Sequence, residues 1–240
     1  ILPIMFFFFK KYLIWTDKPK LQLIRGLILL TANISFFYSI SVISLPKALT
    51  LAFVAPLVVT AFSPIFLGES VGYRRWTAVI IGFIGSLVVI RPGFVEINLA
   101  SLAALGTGIM YGFYLIITRK LSTSDNPLLT LLLTGVVGAI IATTFMPFVW
   151  VSPTFNQWSI MAAIGLFACI GHLFIILSLK YADASKLAPF SYFEIVTNII
   201  IAYYFFGDFP DSWTFLGLFI IVFSGIYISR RENIVKNIKI

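Results

Sequence analysis

Eight apolar segments, each about long enough to cross a bilayer, run through this chain with only short polar or charged breaks between them. Their approximate bounds are 22–44, 47–67, 74–90, 98–118, 127–149, 158–179, 187–206 and 212–229. A helix crosses the hydrocarbon core in about 20 residues, and the segments lack the period-2 alternation that a membrane barrel requires. Composition agrees. The chain is 60% hydrophobic and 11% charged, with a mean hydropathy of +1.03, whereas a soluble domain carries about 25% charged residues. A soluble enzyme is therefore excluded, as are disordered, collagen-like and disulfide-stapled classes. The single cysteine, Cys169, reads as a small buried thiol. The expected fold is all-α, a polytopic membrane helical bundle. Ahead of the first full span, Ile1 to Phe9 is a nine-residue apolar stub. Lys10-Lys11 follows it, the wrong order for a signal peptide, so the stub reads as the end of a ninth helix whose start is absent.

The charges orient the spans. Fifteen of the 17 Lys and Arg fall in alternate breaks: Lys10, Lys11, Lys18, Lys20 and Arg25, then Arg74-Arg75, Arg119-Lys120, Lys180 with Lys186, and the C-terminal group Arg230, Arg231, Lys236 and Lys239. The opposite side has Lys47 and Arg91. Cytoplasmic loops carry the excess of Lys and Arg, which places the basic side and the C-terminus in the cytoplasm. The net charge of +8 is thus a topology signal, and dispersed charges of this kind do not make a nucleic-acid surface. Trp15, Trp76, Trp150, Trp158 and Trp213 fall near span ends, the headgroup level favoured by amphipathic rings. Gly108-x-x-x-Gly112, Gly82-x-x-Gly85, Gly135-x-x-Gly138 and Ala168-x-x-Gly171 predict small faces for close helix approach.

The chain also echoes itself. Leu67-Gly68-Glu69 ends one long segment, and a turn through Tyr73 to Trp76 leads into the next, which closes at Arg91-Pro92. About 139 residues later Phe206-Gly207-Asp208 does the same, with Trp213 in the turn and Arg230-Arg231 at the close. The first acidic turn lies on the basic side and the second on the other, so the copies are inverted, as in many secondary transporters. Leu45 through Pro92 and Tyr181 through Pro210 resemble the two repeat signatures of the EamA-type carriers of the drug/metabolite transporter superfamily. The Ala-Pro-x-x-Tyr-x-Glu run from Ala188 to Glu194 is similar to the branch that includes S-adenosylmethionine uptake carriers. The resemblance implies ten helices in two five-helix repeats, both ends cytoplasmic. This chain would hold residues 1–93 of the first repeat, short of its opening helices, and 94–240 as the second.

Candidate site residues follow from the few polar groups inside spans. Glu194 is the one carboxylate within a span, about 12 Å from its cytoplasmic start. His172, the only histidine, lies equally far from the Asp183 turn on the preceding span, so a hairpin would set both at one depth. Intramembrane ionisable groups mark function by default; the alternative for each is a structural lock between helices. Ser191, Glu194 and Asn198 recur at i, i+3 and i+7 as a polar stripe, flanked by Tyr192. Asn33, Ser35, Tyr38 and Ser39 form a polar cluster in the first full span. Tyr111 lies level with Glu194, and Tyr114 is close by. Tyrosine offers an apolar face and a polar handle for a flat or cationic ligand. Pro56, Pro64 and Pro189 would free backbone carbonyls or permit bending.

These features predict a secondary transporter that moves a small organic metabolite by alternating access. With a cation such as S-adenosylmethionine, Glu194 would be the counter-ion. With export of amino acids or related metabolites, it would be a proton site. Neither a cofactor nor a metal is called for, since one His and one Cys make no ligand set. The partners are the lipid bilayer and the metabolite, with a homodimer one assembly open to the chain. An integral-membrane enzyme lacks its catalytic constellation, and a channel or a non-transporting scaffold is the remaining class.

Overall fold

The computed structural model describes residues 16–43, 45–90, 98–206 and 211–238, and among them every regular element is helical. The stub, Trp15, the Arg91-Pro92 close, the Gly207-Asp208 turn and the side chain of Asn198 lie outside the described residues. In chain order the helices are α1 (Pro19–Val42), α2 (Leu45–Ala52), α3 (Ala55–Leu67), α4 (Tyr73–Ile90), α5 (Leu99–Ser122), α6 (Pro127–Val149) and α7 (Phe155–Tyr181). The short α8 (Ala184–Leu187), a 3-10 segment (Ala188–Tyr192), α9 (Phe193–Phe206) and α10 (Ser212–Ile238) follow.

Four helices, α1, α5, α6 and α7, are each long and apolar enough to cross a membrane unbroken. The expected spans 74–90 and 212–229 are the single helices α4 and α10. The expected spans 47–67 and 187–206 are corrected by the structure, because each is in pieces. The first breaks at Phe53-Val54, between α2 and α3. The second runs as α8, the 3-10 turn and α9. Proline sits beside both breaks. Pro56 falls in the first turn of α3 and Pro189 in the 3-10 segment; having no N–H, each is tolerated at a helix start and resisted in a helix interior. Pro64 stays inside α3. Other ends have local causes. The Asn126 side chain accepts the Leu128 amide ahead of α6, and Thr154 with Gln157 forms a capping box on α7. Gly68 ends α3 at φ 68°, a left-handed conformation that glycine adopts without a Cβ penalty.

The chain divides into two compact units. The first, residues 1–30 and 117–182, combines the start of α1 with the end of α5, α6 and α7. There Gly26 lies so close to Val137 that a Cβ would stand 2.9 Å from it. Gly138 and Gly171, one member of each expected small face, meet nothing within 4 Å among the described residues.

The second unit, residues 31–116 and 183–240, holds both broken spans. Its glycines do what their spacing predicts. A Cβ on Gly112 would stand 2.7 Å from Val58, and one on Gly108 would stand 2.5 Å from the Ala52 carbonyl oxygen. An uninterrupted helix would offer the Ala52 carbonyl to residue 56, but residue 56 is proline. Gly108 therefore packs its backbone directly on a carbonyl that the proline cannot bond. Replacing Gly108 by alanine should cost about 1–3 kcal/mol, the range for overpacking against atoms that cannot yield. Gly138→Ala should be neutral or slightly stabilising, since alanine is the better helix former by about 1 kcal/mol. Thermal unfolding in detergent, followed by a thiol-reactive dye at Cys169, separates the two; equal midpoints would contradict the close approach.

α4 and α10 make the most extensive helix pair, and the pairing is reciprocal. A Cβ on Gly85 would lie 3.2 Å from the Gly217 carbonyl oxygen, while Ser224 Oγ donates 2.7 Å to the Ala78 carbonyl. Positions 85 and 224, and positions 78 and 217, are each one repeat length apart. Contacts exchanged in this way are what a two-fold relation produces.

Candidate functional site

The two broken spans meet at their breaks. The Phe53 and Tyr192 rings lie 6.0 Å apart, and the Tyr192 hydroxyl points at the Phe53 carbonyl at 3.5 Å. These residues are 139 positions apart, the spacing that also relates Leu67 to Phe206. Equivalent positions of the repeat therefore touch each other, each at the point where its own span loses helical continuity. Tyr192 is fully buried, and its ring lies so flat on Gly82 that a Cβ there would be 2.5 Å from Cδ2.

Glu194 follows two residues later. It stands in the first turn of α9, where the helix dipole favours a negative charge. Its side chain is exposed, and its carboxylate accepts no hydrogen bond among the described residues. Ser191 is half-buried in the 3-10 segment. Such a segment turns about 120° per residue instead of about 100°, so the expected helical stripe begins only at Glu194.

The other candidates are more dispersed. Asn33 and Tyr38 are exposed on the second half of α1, whereas Ser39 on the same stretch is buried with an unpartnered hydroxyl; the polar cluster is split between faces. Tyr111 and Tyr114 stack on each other within α5 at 5.5 Å and 19°, Tyr111 half-buried and Tyr114 fully so. His172 belongs to the other unit, on α7, within reach of the Arg25 charge.

Arg25 is the residue that sequence reasoning misplaced. Counted above as an end charge, it is fully buried within α1. Its Nε donates to Thr118 Oγ1 at 2.7 Å, and its Nη1 donates to the Thr130 carbonyl at 3.1 Å and to Thr134 Oγ1. One turn earlier, Gln22 Nε2 donates to Asp125 Oδ2 at 2.7 Å and to Thr130 Oγ1 at 3.0 Å, and Thr16 Oγ1 donates to the same Asp125 oxygen at 2.5 Å. This network joins α1, α5 and α6 inside the first unit. The i, i+3 spacing of Gln22 and Arg25 on an apolar helix is the signal that could have found it.

The EamA-like transporter family matches residues 1–91 and 98–230. The chain belongs to that family. Among curated relatives, the S-adenosylmethionine uptake transporter of Rickettsia bellii (strain RML369-C) is 26% identical over 97% of this chain and 80% of its own length. The riboflavin transporter of Vibrio cholerae is 30% identical over 78% of this chain and 63% of its own length. A solved crystal structure shares the fold at a TM-score of 0.74 and 20% identity, over 90% of this chain and 79% of that one. As an EamA-like protein the chain is an integral membrane transporter and not an enzyme. In transporters built from repeats, interrupted apolar segments at corresponding positions point to the binding site. The Phe53 and Tyr192 breaks are a pair of interruptions at corresponding positions.

Proposed function

We propose that this EamA-like transporter carries a small cationic metabolite of the S-adenosylmethionine class across the bacterial inner membrane by alternating access. Residues 1–93 and 94–240 act as the halves that rock, with the basic ends in the cytoplasm. Glu194 carries the reading. A carboxylate facing lipid costs a few kcal/mol, so an exposed one within an apolar helix belongs beside water or a cationic guest. Among the described residues of its unit its carboxylate accepts no hydrogen bond, which favours counter-ion over lock. Tyr111 and Tyr38 would supply aromatic faces to the cation, with Tyr114 stacked behind Tyr111 and Tyr192 holding the turn before Glu194. Ser191, Asn33 and Asn198 would supply polar contacts. His172 is left to the Arg25 network.

The test is uptake of labelled S-adenosylmethionine by the full-length protein in proteoliposomes, with and without a pH gradient. Wild-type uptake should saturate, and Glu194→Gln should raise KM by about tenfold or more, the equivalent of about 1.4 kcal/mol. Unchanged KM in the variant would remove Glu194 from the site. Absence of any uptake would discard the cationic substrate and turn the search to flat neutral metabolites and to export.

A further inference from the structure

The turn that ends α3 reaches across to the start of the second broken span. Glu69 Oε1 accepts the Ala184 amide at 2.8 Å; Oε2 accepts the Ser185 amide at 2.9 Å and the Ser185 hydroxyl at 2.7 Å. Arg75, in the first turn of α4, donates from Nη1 to the same Ser185 Oγ at 2.9 Å and to the Ser70 carbonyl at 2.6 Å. Ser185 is fully buried between them. The left-handed Gly68 precedes Glu69 and directs the chain at this turn.

Glu69 and its partners lie 115 and 116 residues apart, one side in each copy of the repeat. The copies are inverted, so an equal arrangement would belong at the opposite end of the fold. Shifting each position by the 139-residue repeat length names what the sequence offers there. Asp208 stands for Glu69, but Leu45 and Pro46 stand for Ala184 and Ser185, and Thr214 stands for Arg75. Proline has neither an amide hydrogen nor a hydroxyl, and threonine has no guanidinium. Of the three donors that Glu69 uses, only the Ala184 amide has a counterpart, the Leu45 amide. A fold of two equal halves would be indifferent between its two orientations; these substitutions remove the indifference.

We propose that Glu69, Ser185 and Arg75 form a latch that must open in every transport cycle and that holds the resting carrier closed at its basic end. The proposal rests on the alternating-access reading above. A second observation comes from the helix that carries the Glu69 turn. Ser63, six residues before Glu69 on α3, is fully buried, and its hydroxyl has no partner. A buried hydroxyl without a bond is unfavourable and gains one when water enters. On this proposal, opening lets water reach the Ser63 hydroxyl and satisfies it. α3 also packs against both α8 and the 3-10 segment, so the proposal has freeing of Ser185 loosen this packing and expose Ser63.

Ser63→Cys, in the full-length protein with Cys169→Ser, reports the opening directly. A membrane-impermeant thiol reagent is applied to sealed vesicles from the basic side, and the labelling rate is measured with and without S-adenosylmethionine or another transported metabolite. Labelling of the parent should be slow. Ser185→Ala, which loses the two hydroxyl bonds and keeps both amide bonds, should raise it least. Glu69→Gln, whose amide nitrogen cannot accept, should raise it further, and Glu69→Ala by about tenfold or more. Thermal unfolding of each variant confines the comparison to folded protein, and Ser185→Ala keeps the test open if the Glu69 variants fail to fold. Equal rates across the series, with a parent rate that responds to metabolite, would overturn the latch and leave alternating access standing. Raised rates with a parent that no metabolite affects would leave a static clamp and overturn the cyclic role.

Discussion

Arg25→Met is expected to lower the unfolding free energy by about 2–4 kcal/mol, measured by reversible unfolding in detergent micelles. The range follows from two bounds. Hydrogen bonds to a charged group contribute about 1.5–3 kcal/mol each in soluble proteins, whereas polar contacts between membrane helices average about 0.6 kcal/mol because the unfolded chain also finds partners. Among the described residues Arg25 donates to Thr118, Thr130 and Thr134. Burial moves the expectation above the lower bound, since methionine would take a donor from the Thr118 and Thr134 hydroxyls in a place water does not reach, while the Thr130 carbonyl keeps the Thr134 hydroxyl. Arg25→Lys should recover only part of the loss, because one ammonium cannot reproduce the fork of a guanidinium. Thr118→Val or Thr134→Val should each cost less than Arg25→Met. A residue acting only as an end charge predicts something different: little change in stability and a change in orientation. Stability within about 0.5 kcal/mol of the parent, the range for an ordinary surface substitution, would return Arg25 to that role.

This residue also shows where the sequence stops being legible. Spans are legible because bilayer thickness sets a length that composition must satisfy, and α6 and α7 fall almost where apolar length puts them. Depth is less legible. A charge near a segment end reads as a loop charge, yet α1 begins at Pro19 and carries Arg25 well inside. Breaks within spans are harder still. The runs 47–67 and 187–206 are each apolar enough to read as one span, and proline marks both interruptions, but it marks Pro64 too, where α3 continues. What separates these cases is a contact between positions 139 residues apart, which no local pattern encodes. Tyr192 illustrates the cost of that blindness. By local spacing it flanks a polar stripe, whereas by its repeat partner it is a packing residue at the junction of two broken helices.

That junction carries the second large prediction. Tyr192→Ala should destabilise the protein by about 3–5 kcal/mol, the cost of removing a fully buried aromatic ring. Gly82 beneath it has no side chain to fill the hole, and Phe53 is attached to a helix end that cannot advance without moving α2 or α3. Tyr192→Phe should cost much less, because the hydroxyl bond to the Phe53 carbonyl is long at 3.5 Å and the ring contacts remain. Transport should follow the same order. Tyr192 ends the 3-10 segment immediately before α9, so its loss frees the turn that aims Glu194. A double-mutant cycle with Gly82→Ala sharpens the assignment. Alone, the added methyl would strike the Tyr192 ring; in the Tyr192→Ala background it would enter vacated space, giving a coupling of about 1 kcal/mol or more between the two positions. Additive effects would mean that the ring does not rest on Gly82. A Tyr192→Phe variant as damaged as Tyr192→Ala would move the weight from packing to the hydroxyl, making the bond to the broken helix the essential feature of the junction.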